Sequence, residues 1–285
     1  MRRPTQHSCV ALLLAGQSRT LSESQVRRDL ITSVVRPTRA VLFAHLSAEH
    51  EYDVWHNFST SSEASADSLV DIIRAEFHPV AFLRVENDRE VQRHPSWSGV
   101  LQRPQRFSVL FFRWLLLHKA LANEETRRGS RFEIILRMRP DLIVSCSLPL
   151  DVGAWMRGYS ALQHGDVMLI AQRDAAEVAL HTYVHANASA LCALKAELCV
   201  PGLLAAHNFS LATLTPGTVS VVRPAAFCIQ PHLQARLPEW LSCGRAALGR
   251  AKLPCAAPTR SWNLTEHVKY WRDWRRSQRT SARRT

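Results

Sequence analysis

Three side chains at the end of one mostly apolar run carry the most chemistry in this chain. Residues 132–136 form that run, and Arg137, Arg139 and Asp141 follow it, with Met138 and Pro140 between them. A carboxylate at a strand end can hold a divalent cation through oxygen, and the cation can bridge a diphosphate. Two guanidinium groups at alternate positions share one face if the strand continues through them. There they either pair with the carboxylate or grip phosphate oxygens. The same three residues also fit a purely structural role, a buried Arg–Asp pair that fixes the strand end.

A second group follows the first apolar run. Gly16 permits close backbone approach, and Gln17 and Arg19 stand where a nucleotide base or phosphate can be contacted; an ordinary turn is the plainer reading. Asp166, after Gly165, can bind an acceptor hydroxyl or act as general base, or simply cap a turn. His181 and His185 are four apart on a helix face, but Thr182 stands where a zinc-protease helix needs Glu, so they read as helix-surface histidines. The seven cysteines form no Cys-x-x-Cys pair, which removes support for a zinc ribbon or a thioredoxin-like site. They fit either disulfides in an oxidising lumen or small buried hydrophobes. Cys192 and Cys199 are too far apart along a helix to pair with each other. No nucleophile elbow and no phosphate-binding P-loop is present.

These residues need elements to hold them. Residues 9–15 read as a buried first strand, and 40–45 as a second. Between them, Val26, Leu30, Val34 and Val35 have helical spacing, and Pro37 is expected to stop that helix. Strand, turn, helix, strand is the order of a parallel βαβ unit. Residues 56–68 read as a loop, 68–77 as a helix and 80–85 as a strand. A long loop or lid is expected over 86–106, a buried helix over 107–123 and a basic turn over 127–131. Strands follow at 132–136, 165–171 and 218–222, with helices at 173–183 and 188–198. Beyond Pro224 the pattern loses clarity.

In order and spacing, segments 9–21, 40–46, 132–144 and 165–180 together resemble a loosely defined group of nucleotide-sugar-dependent glycosyltransferases of polysaccharide and lipopolysaccharide synthesis. The resemblance covers roughly residues 9–185. It rests on Gly16, Gln17 and Arg19, on Arg137, Arg139, Asp141 and Leu142, and on Asp166. It implies a nucleotide-diphospho-sugar transferase fold in which Asp141 holds Mn2+ or Mg2+ on the donor diphosphate. Arg139 stands where the common Asp-x-Asp form has its first Asp, so an arginine can replace the metal as the diphosphate clamp.

Length and composition set the frame. With 285 residues, 46% of them hydrophobic, the chain buries a sizeable core and is not disordered throughout. A net charge of +12 favours anionic partners: nucleotide diphosphates, nucleic acid, sulfated glycans or anionic surfaces. Residues 272–285 carry six Arg and one Asp, a solvated basic end or a phosphate contact. Trp262, Trp271 and Trp274 near it fit packing anchors or stacking surfaces. Four of the six Asn lie in Asn-x-Ser/Thr sequons (Asn57, Asn187, Asn208 and Asn263), pointing to the secretory pathway or Golgi lumen, with the cytoplasm as the alternative. Residues 1–16 mimic a signal peptide at its minimum length, and no apolar stretch is long enough to span a bilayer.

The expected fold is α/β, a mostly parallel sheet with helices on both faces over residues 9–230, followed by an irregular Pro/Arg-rich extension over 231–285. The expected function is sugar transfer from a nucleotide-diphosphate donor to a hydroxyl acceptor on a glycan. Gly16, Gln17, Arg19, Arg137, Arg139 and Asp141 would bind the donor, Asp141 with or without Mn2+ or Mg2+, and Asp166 would act in catalysis. The rivals are a basic polyanion- or nucleic-acid-binding protein and a non-catalytic member of the same fold.

Overall fold

The computed structural model describes residues 9–47, 51–53, 58–60, 65–97, 105–144, 146–164, 167–185, 198–214, 219–221, 255, 260–261 and 269. The first strand, β1 (Val10–Gln17), is fully apolar up to Ala15 and lies in the interior of the sheet. A 3-10 turn, Arg19–Ser22, leads into α1 (Ser24–Leu30), which continues through a π-turn over Ile31–Val35 into a last helical turn, α2 (Arg36–Thr38). Pro37 therefore does not stop the helix. Proline has no N–H to give to the carbonyl four residues back, and the helix widens over the turn before it. The Ser33 carbonyl accepts the Leu148 N–H instead, at 2.9 Å. The end comes at Arg39, in the left-handed region at φ 53°.

The chain then forms β2 (Val41–Ser47), a short antiparallel pair β3 (Glu51–Asp53) and β4 (Phe58–Thr60), α3 (Ala66–Glu76) and β5 (Val80–Val85). The expected loop at 56–68 thus contains a strand. The expected lid at 86–106 contains α4 (Asp88–Gln92), held by a capping box between Asn87 and Glu90. Trp97 beyond it packs on Phe112 and Tyr183. The long helix α5 (Gln105–Arg128) absorbs Arg127 and Arg128, expected in a turn.

After α5 come β6 (Ile134–Met138), β7 (Leu142–Val144), α6 (Val152–Trp155), β8 (Ala161–His164), β9 (Met168–Gln172), α7 (Arg173–Leu180) and α8 (Thr182–His185). Then follow α9 (Cys199–Ala206), β10 (Leu211–Thr213), β11 (Val219–Val221) and β12 (Arg260–Ser261). Of the helix expected at 188–198, residues 188–197 lie outside the described residues.

The main sheet has the order β12-β10-β8-β9-β6-β1-β2-β5. β5, β2, β1, β6, β8 and β10 run one way, while β9 and β12 run against them. The fold is therefore α/β with a mostly parallel, mixed sheet, as the order of elements predicts. β11 lies outside that sheet and pairs with β7. Alternation along the central strands separates two apolar layers. Leu12, Leu14, Leu42 and Leu136 face α1 and α3, whereas Leu13, Phe43, Ile135 and Leu169 face α5 and α7.

The extension past residue 230 returns to this body. Cys255 forms a disulfide with Cys146, its N–H donates to the Ser147 carbonyl at 2.9 Å, and β12 adds a strand beside β10. Cys199 is disulfide-bonded as well. No helix among the described residues is long and apolar enough to cross a membrane.

Candidate functional site

Strand order reverses between β1 and β6. From β1 the chain steps out to β2 and β5, then crosses back by α5 on the opposite face to β6 on the other side of β1. Such a reversal opens a crevice beyond the carboxyl ends of the two strands, the usual ligand position in open α/β sheets. Gly16 and Gln17 end β1, and the turn Arg139–Leu142 follows β6. The two ends meet. A Cβ on Gly16 would lie 4.0 Å from Pro140 Cδ and 3.6 Å from Leu110 Cδ1 of α5. Those contacts are ordinary; what requires glycine is the φ of +116°.

Asp141 and Arg139 form a two-point ion pair. Arg139 donates from Nε to Oδ1 at 2.9 Å and from a terminal nitrogen to Oδ2 at 2.6 Å. Asp141 is 1% exposed, while the Arg139 side chain keeps partial access to solvent. The structural reading of this pair is thus realised in the fold: the carboxylate faces inward and the guanidinium is its outer partner. A divalent ion at Asp141 would have to displace Arg139 from both oxygens, and the described residues bring no metal-ligating cluster to this place.

Arg137 lies elsewhere. β6 ends at Met138 and a turn follows, closed by the Leu142 N–H to the Arg139 carbonyl, so the alternation that would align Arg137 with Arg139 does not carry through. Arg137 is 2% exposed, with its guanidinium carbon 4.2 Å from the centre of the Trp114 ring of α5. Arg19 opens the 3-10 turn after β1, but its side chain, like Asp166, lies outside the described residues. Next to it, Ser18 Oγ and Thr20 Oγ1 are buried and have no hydrogen-bond partner among the described residues.

The chain matches no family model and no curated protein.

A polar network lies at the carboxyl ends of β2 and β5, on the other side of β1, and none of its members stands out in the sequence. His45, fully buried, shares a 2.6 Å hydrogen bond between Nε2 and Glu86 Oε1. Burial pushes its pKa down to about 4. Burial alone would raise the Glu86 carboxyl, but the bond from His45 and the Arg84 guanidinium outweigh it and leave Glu86 below its usual range. Arg113 of α5 donates to the Leu46 and Glu86 carbonyls and to Asp88 Oδ1, each at 2.9 Å. In the sequence Arg113 is merely a charge interrupting an apolar helix; its burial at a carbonyl-rich strand end explains why it is there.

A cleft of about 670 Å3 lies at the other end of the strands, lined by Cys9, Val10, Arg39, Val80, Arg127 and Arg128. Arg127 there is tied to Glu124 by two hydrogen bonds of 2.7 Å. None of the expected site residues lines it.

Proposed function

We propose that this chain transfers a sugar from a nucleotide-diphosphate donor to a hydroxyl acceptor, binding the donor across the carboxyl ends of β1 and β6. The observation that carries the reading is the reversal of strand order there, with Gly16 packed by Pro140 and the Arg139–Asp141 pair in the adjoining turn. The backbone at Gly16 and Gln17 lets a ligand come close, and the neighbouring Ser18 and Thr20 hydroxyls have unused hydrogen-bonding capacity. Arg139 supplies positive charge where a leaving diphosphate gains negative charge, and Asp141 sets its orientation. Because Arg139 occupies both oxygens of Asp141, no step here is routed through Mn2+ or Mg2+. Arg137 contributes background positive potential from within the core. Asp166 is the proposed acceptor-side base. The Cys146–Cys255 disulfide, the disulfide-bonded Cys199 and the sequons support synthesis in the secretory pathway.

The test is nucleotide release and sugar transfer with a panel of common nucleotide sugars, with Mn2+ and with EDTA. Turnover should survive EDTA. Arg139→Ala should lower kcat/KM by roughly 10²–10³, and Arg139→Lys, which keeps the charge but not the fork, should recover part of it. Absence of hydrolysis and transfer with every donor would defeat the proposal. Donor binding by calorimetry without turnover would assign the chain to a non-catalytic relative.

A further inference from the structure

Away from that crevice, the described residues contain one group of side chains suited to a metal. The donor atoms of His118, Glu177 and His181 all lie within 4.8 Å of one another. His118 comes from the middle of α5; Glu177 and His181 are one turn apart on α7 and its C-cap. Residues at this spacing share a helix face, so α7 offers two donors and the neighbouring α5 the third. The sequence suggests surface histidines at 181 and 185. The structure instead puts His181 edge-on against His118, with ring centres 4.4 Å apart, and all three residues are half-buried.

The centre already attracts a cation. The Arg173 guanidinium donates to Glu177 Oε2 at 3.0 Å and lies 3.4 Å from His118 Nε2. It is anchored from behind by a two-point bond to Glu125, at 2.9 and 3.0 Å.

We propose that His118, Glu177 and His181 bind a zinc-class divalent transition metal that ties α5 to α7. Two imidazoles and one carboxylate suit Zn2+ and its neighbours, whereas Ca2+ and Mg2+ prefer all-oxygen sites. Metal–ligand bonds of about 2.0–2.2 Å in a tetrahedron place donors roughly 3.3 Å apart. Side-chain rotation closes that gap, and Glu177 exchanges its Arg173 contact for the ion while Arg173 keeps Glu125. Three protein ligands leave the fourth position to water. The proposal does not depend on the sugar-transfer reading, since none of its ligands lies at the β1–β6 crevice.

The test uses the full chain stripped of metal with a chelator and titrated with Zn2+ by calorimetry and with Co2+ by visible absorption. One ion per chain should bind with micromolar or tighter Kd, the Co2+ bands should be those of a four-coordinate site, and Zn2+ should raise the thermal midpoint. His118→Gln and His181→Gln should each weaken binding by at least about tenfold, while His78→Gln, at an exposed histidine between α3 and β5, should not. Circular dichroism and the metal-free midpoint show whether the variants fold; if His118→Gln does not, the half-buried His181→Gln carries the comparison. No Zn2+ binding by the folded wild-type chain at 100 µM-scale concentrations (about 5.5 kcal/mol of affinity) would overturn the proposal, with Arg173 then the permanent cation. Undiminished binding in the two variants would overturn it as well.

Discussion

His45 is a neutral imidazole sealed inside the protein, and this makes stability depend on pH. In the unfolded chain the group takes up a proton near pH 6.5; in the folded chain it does so only near 4. Between those values the unfolded state binds more protons, so stability falls as pH falls through the window and is fully present above it. The shift corresponds to about 3 kcal/mol. Urea midpoints measured at pH 7, 5.5 and 4.5 should drop on acidification, and His45→Gln should show a shallower drop than the wild type. Equal slopes would show that His45 is not the group responsible. At this scale the sequence was only partly legible. Gly16, Arg139 and Asp141 stood out by type and spacing, and the structure brings their segments together. His45, Glu86 and Arg113 did not stand out, because they are 41 and 27 residues apart and converge only through strand pairing and a helix crossover.

At the scale of elements, the apolar runs announced β1, β2 and β6, which have neighbours on both sides, and the edge strand β5. The short strands β8 and β10 were missed. Three or four residues carry too little pattern, and their strand conformation comes from pairing with β9 and with each other. Pro37 misled for a physical reason: its missing N–H is tolerated because Ser33 gives its carbonyl to Leu148 in another segment. That contact, with the packing of α1 on β7, fixes the chain just beyond Asp141. On the opposite face α5 and α7 are joined by the buried pair Arg173–Glu125, and Glu125 Oε1 also accepts the Phe132 N–H at 3.1 Å. Glu125→Ala removes the two-point partner of the buried Arg173 guanidinium, leaving it only Glu177, and leaves the Phe132 N–H without its acceptor. It should cost about 3–5 kcal/mol in chemical denaturation; a loss below about 1 kcal/mol would mean that water replaces the carboxylate.

At the scale of the whole molecule, the disulfide between Cys146 and Cys255 links the position after β7 to one shortly before β12, across a separation of 109 residues. A cross-link closing so long a loop removes conformational freedom from the unfolded chain. Cys146→Ser with Cys255→Ser should lower stability by about 2–5 kcal/mol, read as a shift in the denaturant midpoint. An unchanged midpoint would mean that the native contacts around Ser147 hold the segment unaided. The sequence could not name this pair, because seven cysteines allow many pairings and spacing selects none of them.

The same bond sets an order of assembly. β10 has its outer neighbour only when β12 arrives, and Cys146 has its partner only when Cys255 does. At translation rates of 5–20 residues per second, roughly 5–20 s separate the two cysteines as the chain is made. Until Cys255 is made the Cys146 thiol is without its native partner, and from the completion of β10 until β12 is made the outer edge of β10 is open.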